Sequence, residues 1–139
     1  MIDYKYKKEE DENKMNKDSI VSVFYGGGKG KTSAALGAAF KNIPPGGIAY
    51  FLQFVKDADE AELLRKFEPE FKVFNFDTDS AISFVKKVIS SKECDVLVLD
   101  EILSLIETRE DGEQIITDIL ALARKNITRI IITGNFITD

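Results

Sequence analysis

Histidine and tryptophan are both absent from this chain of 139 residues, and cysteine occurs once. Without histidine there is no Ser-His or Cys-His triad, no imidazole base and none of the usual zinc sites. One cysteine excludes an internal disulfide and a multi-thiolate metal centre, and it suits a reducing compartment. Cys94 lies just before an apolar run, so a buried structural thiol is expected. No apolar run approaches the ~20 residues of a membrane span. The N-terminus is too charged for a secretory signal, so a cytoplasmic protein without a membrane partner is expected. Positive charge is the minority sign, with 19 Lys plus Arg against 24 Asp plus Glu and a net charge of −5. A globally acidic chain is a poor partner for nucleic acid. Any chemistry must rest on lysine, carboxylates, hydroxyls, backbone amides or a bound ion.

What is present is an ordinary globular composition, 44% hydrophobic and 31% charged, in a length that suits one domain. Residues 1–18 mix lysines and acids around Tyr4 and Tyr6 and read as a charged tail. It is either solvated or an arm that orders over a ligand or partner. Residues 19–139 read as the single domain. Short β-branched and aromatic runs alternate there with helical segments. Strands are expected at Ile20 to Tyr25, Ile48 to Val55, Phe71 to Phe76, Asp95 to Leu99 and Thr128 to Thr133. Helices are expected at Thr32 to Asn42, Asp59 to Phe67, Asp79 to Ser90, Ile102 to Thr108 and Glu113 to Lys125. Pro44 to Gly47 form a turn. Alternation of this kind predicts an α/β fold, a doubly wound and mainly parallel sheet of about five strands with helices on both faces.

The most informative segment is Tyr25-Gly-Gly-Gly-Lys-Gly-Lys-Thr32. It follows an apolar strand and opens a helix, the context that supports a phosphate-binding P-loop. Gly26, Gly27, Gly28 and Gly30 let the backbone approach an anion. The amides of that turn and the helix start offer partial positive charge, with Lys29 and Lys31 adjacent. Lys31 brings a full charge to the phosphates, Thr32 can ligate Mg2+, and Ser33 completes the nucleotide-binding stretch. The pattern G-x-x-x-x-G-K-S/T is missing its first glycine. Tyr25 stands there and Gly26 comes one residue late, so the loop is tighter or differently wound.

The run Val96 to Leu99 ends in Asp100 and Glu101. Ligands of open α/β sheets lie at the carboxyl ends of the strands, so this pair is expected beside the loop, one of them holding the metal opposite Thr32. Gln53, Lys56 and Asp57, and Thr133-Gly134-Asn135, end other strands on the same edge. They are ligand contacts or plain loops. Phe51, Phe54, Phe71, Phe74 and Phe76 follow strand spacing and belong to the core.

These segments, F-Y-G-G-G-K-G-K-T-S-A-A-L-G, F-L-Q-F-V-K, V-L-V-L-D-E and I-I-I-T-G in that order, resemble the P-loop ATP:corrinoid adenosyltransferases. The loop of that family reads T-G-N-G-K-G-K-T-T-A-A and lacks the same glycine. The resemblance implies transfer of the 5′-deoxyadenosyl group of ATP to a reduced corrinoid, with release of triphosphate and no protein base. It implies that Gly26 to Thr32 wrap the triphosphate, that Lys31 and Glu101 serve catalysis, and that Thr32 and Glu101, with Asp100 beside it, serve Mg2+. It further implies a homodimer whose N-terminal segment can cover the corrinoid. The chain departs from the family in the short stretch Asn75 to Ser80, in having no tryptophan, and in Asn135 where the family has arginine. A nucleotide-binding module without transfer activity and another P-loop ATPase or kinase are the alternative readings.

Overall fold

The computed structural model describes residues 20–25, 30–54, 66 and 71–134. The elements in chain order are β1 (Val21–Tyr25), α1 (Gly30–Asn42), β2 (Ala49–Gln53), β3 (Phe71–Phe74), α2 (Thr78–Ser91), β4 (Val96–Asp100), α3 (Ser104–Thr108), α4 (Gly112–Asn126) and β5 (Arg129–Gly134). The helix expected over Asp59 to Phe67 lies outside the described residues, apart from Lys66. The remaining segments form as expected, with boundaries shifted by a few residues. Helix α1 starts two residues early, at Gly30, and β3 stops at Phe74 because Asp77 caps the next helix.

The five strands form one sheet in the order β1-β5-β4-β2-β3, and every pairing is parallel. Parallel neighbours need a crossover, and here each described crossover is a helix. Strands β2 and β4 are buried at every position, which accounts for their unbroken apolar reading. Side chains still alternate between faces. Tyr50, Leu52, Leu97, Leu99, Ile130 and Ile132 pack with residues of α2 and α4, including Val85, Val88, Ile116 and Ile119. Phe51, Val96, Val98 and Ile131 face the other way, toward Ala35 and Ala39 of α1. Two fully buried alanines give α1 a flat contact surface. Cys94 is buried, and burial pushes its thiol up to about 12, which keeps it protonated and inert.

Helix ends are fixed by local bonds. The Asp77 carboxylate accepts from the Ser80 N–H at 2.9 Å and from the Ser80 hydroxyl at 2.9 Å, capping α2. Those bonds, the backbone one first, hold its carboxyl below the usual range. Helices α2 and α4 end on Lys92 and Ile127, both in the left-handed region without being glycine. Helix α4 begins against α3, and a β-carbon on Gly112 would come within 1.9 Å of the Leu105 carbonyl oxygen. Gly112→Ala is therefore expected to cost about 2–3 kcal/mol by forcing the two helices apart. Thermal unfolding should read this as a fall of roughly 5–15 °C.

Candidate nucleotide site

Parallel pairing lines the strand ends up on one edge. Tyr25 is in register with Gly134, Phe24 with Thr133, and Gln53 with Asp100. Gly26, Gly27, Gly28 and Lys29 lie outside the described residues. Gly30, Lys31, Thr32 and Ser33 form the first turn of α1, immediately after them.

From that turn two side chains reach the end of β4. The Thr32 hydroxyl donates to Asp100 Oδ1 at 3.0 Å, and Lys31 Nζ lies 3.1 Å from Glu101 Oε2. The Lys31–Glu101 pair is well shielded, with side-chain exposures of 11% and 17%. Backbone geometry separates the two acids. Asp100 is the last residue of β4 and points into the sheet edge, buried. Glu101 takes φ of +64°, where a non-glycine residue is strained, and the chain turns there toward α3. The Ser104 N–H bonds the Glu101 carbonyl at 3.1 Å, closing that turn.

Thr133, at the end of β5 and fully buried, ties the acids together. Its hydroxyl donates to Asp100 Oδ1 at 2.8 Å and accepts the Glu101 N–H at 2.9 Å. Burial raises the Asp100 carboxyl, while the Thr133 and Thr32 hydroxyls work against that shift. A hydroxyl and a carboxylate 3.0 Å apart are hard oxygen donors of the kind Mg2+ takes alongside phosphate oxygens. The residues present therefore fit that ion without an all-protein cage. Among the described residues no group of three or more acidic or thiol side chains forms such a cage.

Lys31, Thr32, Asp100 and Glu101 come together. Gln53 is buried at the same edge, opposite Asp100. Thr133 turns inward as a brace, and Gly134 lies flush against Leu103, whose Cβ is 2.3 Å from where a β-carbon on the glycine would stand. Lys56, Asp57 and Asn135 lie outside the described residues. Phe51 and Phe71 are fully buried, whereas Phe76 is 38% exposed, stacked on Phe74 at a centroid distance of 6.0 Å and tilted against Phe84 at 5.0 Å. The brace had one sequence signal, the hydroxyl ending β5, but its role depends on β5 lying next to β4.

Residues 17–139 match the family model described as ATP:corrinoid adenosyltransferase BtuR/CobO/CobP. The chain belongs to this family. It is similar to the corrinoid adenosyltransferase of Escherichia coli strain K12, with 31% identity over 104 residues, covering 63% of this chain and 53% of that protein. The corrinoid adenosyltransferase of Escherichia coli O6:H1 strain CFT073 matches to the same extent. The chain thus spans about half the length of the curated relatives it matches. Its fold is similar to that of a KaiC-like protein from Pyrococcus horikoshii OT3, with a TM-score of 0.63 at 19% identity, covering 86% of this chain and 62% of that one. Among the described residues of this adenosyltransferase-family chain, no helix is long and apolar enough to cross a membrane.

Proposed function

We propose that the chain binds ATP and transfers its 5′-deoxyadenosyl group to a cob(I)alamin-type or cob(I)inamide-type corrinoid, releasing triphosphate. The observation that carries the reading is the cluster of Lys31, Thr32, Asp100 and Glu101 at the strand ends beside a glycine-rich loop, within a chain matched almost throughout by that family's model. In the reaction, cobalt(I) of the corrinoid substrate attacks the 5′-carbon of ATP. The carbon–oxygen bond to the triphosphate breaks, and the triphosphate leaves with the electron pair. No proton needs to be removed, so a site without histidine suffices.

The protein's task is to position and to neutralise charge. Gly26 to Ser33 seat the triphosphate. Lys31 exchanges Glu101 for the leaving group and offsets its charge. Thr32 and Asp100 would hold Mg2+, which supplies further positive charge to the triphosphate when bound, and Glu101 lies at the edge of that position. A cytoplasmic homodimer whose N-terminal segment covers the corrinoid is part of the same proposal.

One observation favours a second reading, a nucleotide-binding module that does not transfer. The link from β3 to α2 is only residues 75–77, where the family resemblance calls for a longer aromatic stretch beside the corrinoid. The nucleotide product separates the readings. Incubation with ATP, Mg2+ and a chemically reduced corrinoid is expected to yield intact triphosphate and an adenosylated corrinoid. ADP with phosphate would mark a hydrolase, and unchanged ATP a binding module.

A further inference from the structure

We propose that Thr133 is the positioning residue of this site, one buried hydroxyl that aims both carboxylates and so sets how strongly ATP binding depends on Mg2+. Thr133 is fully buried, and its hydroxyl is committed on both sides. It gives its proton to Asp100 Oδ1 at 2.8 Å and takes the Glu101 N–H at 2.9 Å. It acts on a ligand only through those two neighbours.

Each bond constrains a different acid. Asp100 Oδ1 receives two hydroxyls, from Thr133 and Thr32, which fixes the plane of the carboxylate and turns it toward the first turn of α1. Glu101 is held differently. Its backbone sits at φ +64°, a conformation that persists in a non-glycine residue only when its surroundings enforce it. The N–H bond to Thr133 is one such restraint, and the Ser104 N–H on the Glu101 carbonyl at 3.1 Å is another. In that conformation the Glu101 carboxylate lies 3.1 Å from Lys31. The hydroxyl of Thr133 thereby influences both the metal-facing acid and the partner that Lys31 must leave when a triphosphate arrives.

Charge explains why the effect depends on the metal. Two carboxylates face one lysine in the described part of the site, an arrangement that repels a polyphosphate unless a divalent cation enters with it. A correctly aimed Asp100 makes that entry favourable, and a misaimed one leaves only repulsion. Valine matches threonine in shape but removes the donor to Asp100 and the acceptor for Glu101 at once.

This inference rests on the nucleotide reading above, and the test separates the two. ATP affinity is measured by calorimetry with Mg2+ and with EDTA for the wild-type chain, T133V, T133A and T133S, after thermal unfolding has established which variants fold. T133A is a second variant without the hydroxyl should valine not be accommodated. The hydroxyl-less variants are expected to lose at least about tenfold in affinity for Mg2+–ATP while metal-free binding changes less than about threefold, and T133S is expected to restore the wild-type Mg2+ dependence. Hydroxyl-less variants that keep the wild-type ratio, or that weaken both forms equally, overturn the role assigned to Thr133. A wild-type chain that binds neither form sinks the nucleotide reading and this inference with it.

Discussion

Replacing Lys31 with alanine is expected to lower kcat/KM for adenosyl transfer by about a thousandfold, the scale on which a charge-stabilising group aimed at a leaving group acts. Two losses combine. The leaving triphosphate loses a positive charge, and Glu101, whose carboxylate lies 3.1 Å from the lysine, keeps its negative charge where phosphate oxygens must come. The second loss makes the double variant informative. Adding Glu101→Gln to Lys31→Ala is expected to recover roughly tenfold of the lost ATP affinity, since the repelling carboxylate goes too. Residues in contact do not contribute additively. Lys31→Arg is not a conservative control, because a planar guanidinium differs in reach and geometry from a point charge. Calorimetry and steady-state rates on the wild type, Lys31→Ala, Glu101→Gln and the double variant check this. Equal losses in the single and double variants would show that the 3.1 Å pair has no bearing on nucleotide binding.

Asp100→Asn is expected to separate stability from function, stabilising the empty protein by roughly 2–5 °C while reducing Mg2+-dependent transfer about a thousandfold. The hydroxyls of Thr32 and Thr133 both donate to the same oxygen, Oδ1. An asparagine carbonyl in that place can accept both, so the variant keeps those bonds and discards a buried charge. The pH dependence follows from the direction of the shift. Burial raises the Asp100 carboxyl in the folded protein above its unfolded value. This group therefore stabilises the fold below its unfolded pKa, and that contribution is lost as pH rises through the folded one. Thermal unfolding of the wild type should fall across that interval relative to Asp100→Asn. With saturating Mg2+–ATP the order should invert, because the wild type gains more ligand stabilisation than the variant. A variant less stable than wild type in the empty state would contradict this account of Asp100.

Much of the architecture was legible because it rests on local signals. Strands with both faces covered read as apolar runs, as at Val96 to Leu99, and the turn residues between them are visible. The strand-ending acids and the first turn of α1, with Lys31 and Thr32, were also readable as one edge, since parallel strands share an end. Pairing order was not. Nothing in the β5 segment says that it lies between β1 and β4, so Thr133 could be taken for a ligand contact or a turn residue. The left-handed backbones at Lys92, Glu101 and Ile127 gave no warning either, because none is glycine and their conformations come from tertiary restraint. The division of the acids followed the same pattern. The resemblance set Glu101 with Thr32 and Asp100 beside it. In the structure Asp100 meets Thr32 and Glu101 meets Lys31, a choice made by the backbone twist at one residue.

The position of β5 also works as a gauge. With one strand between β1 and β4, the strand that leads into the glycine-rich segment stands two interstrand spacings from the strand that carries Asp100, roughly 9.6 Å. Rigid main-chain ladders on both sides hold that width, so the span between the end of β1 and Asp100 stays constant. The side chains of β5 point to the two sheet faces, so substitutions among them leave that span unchanged.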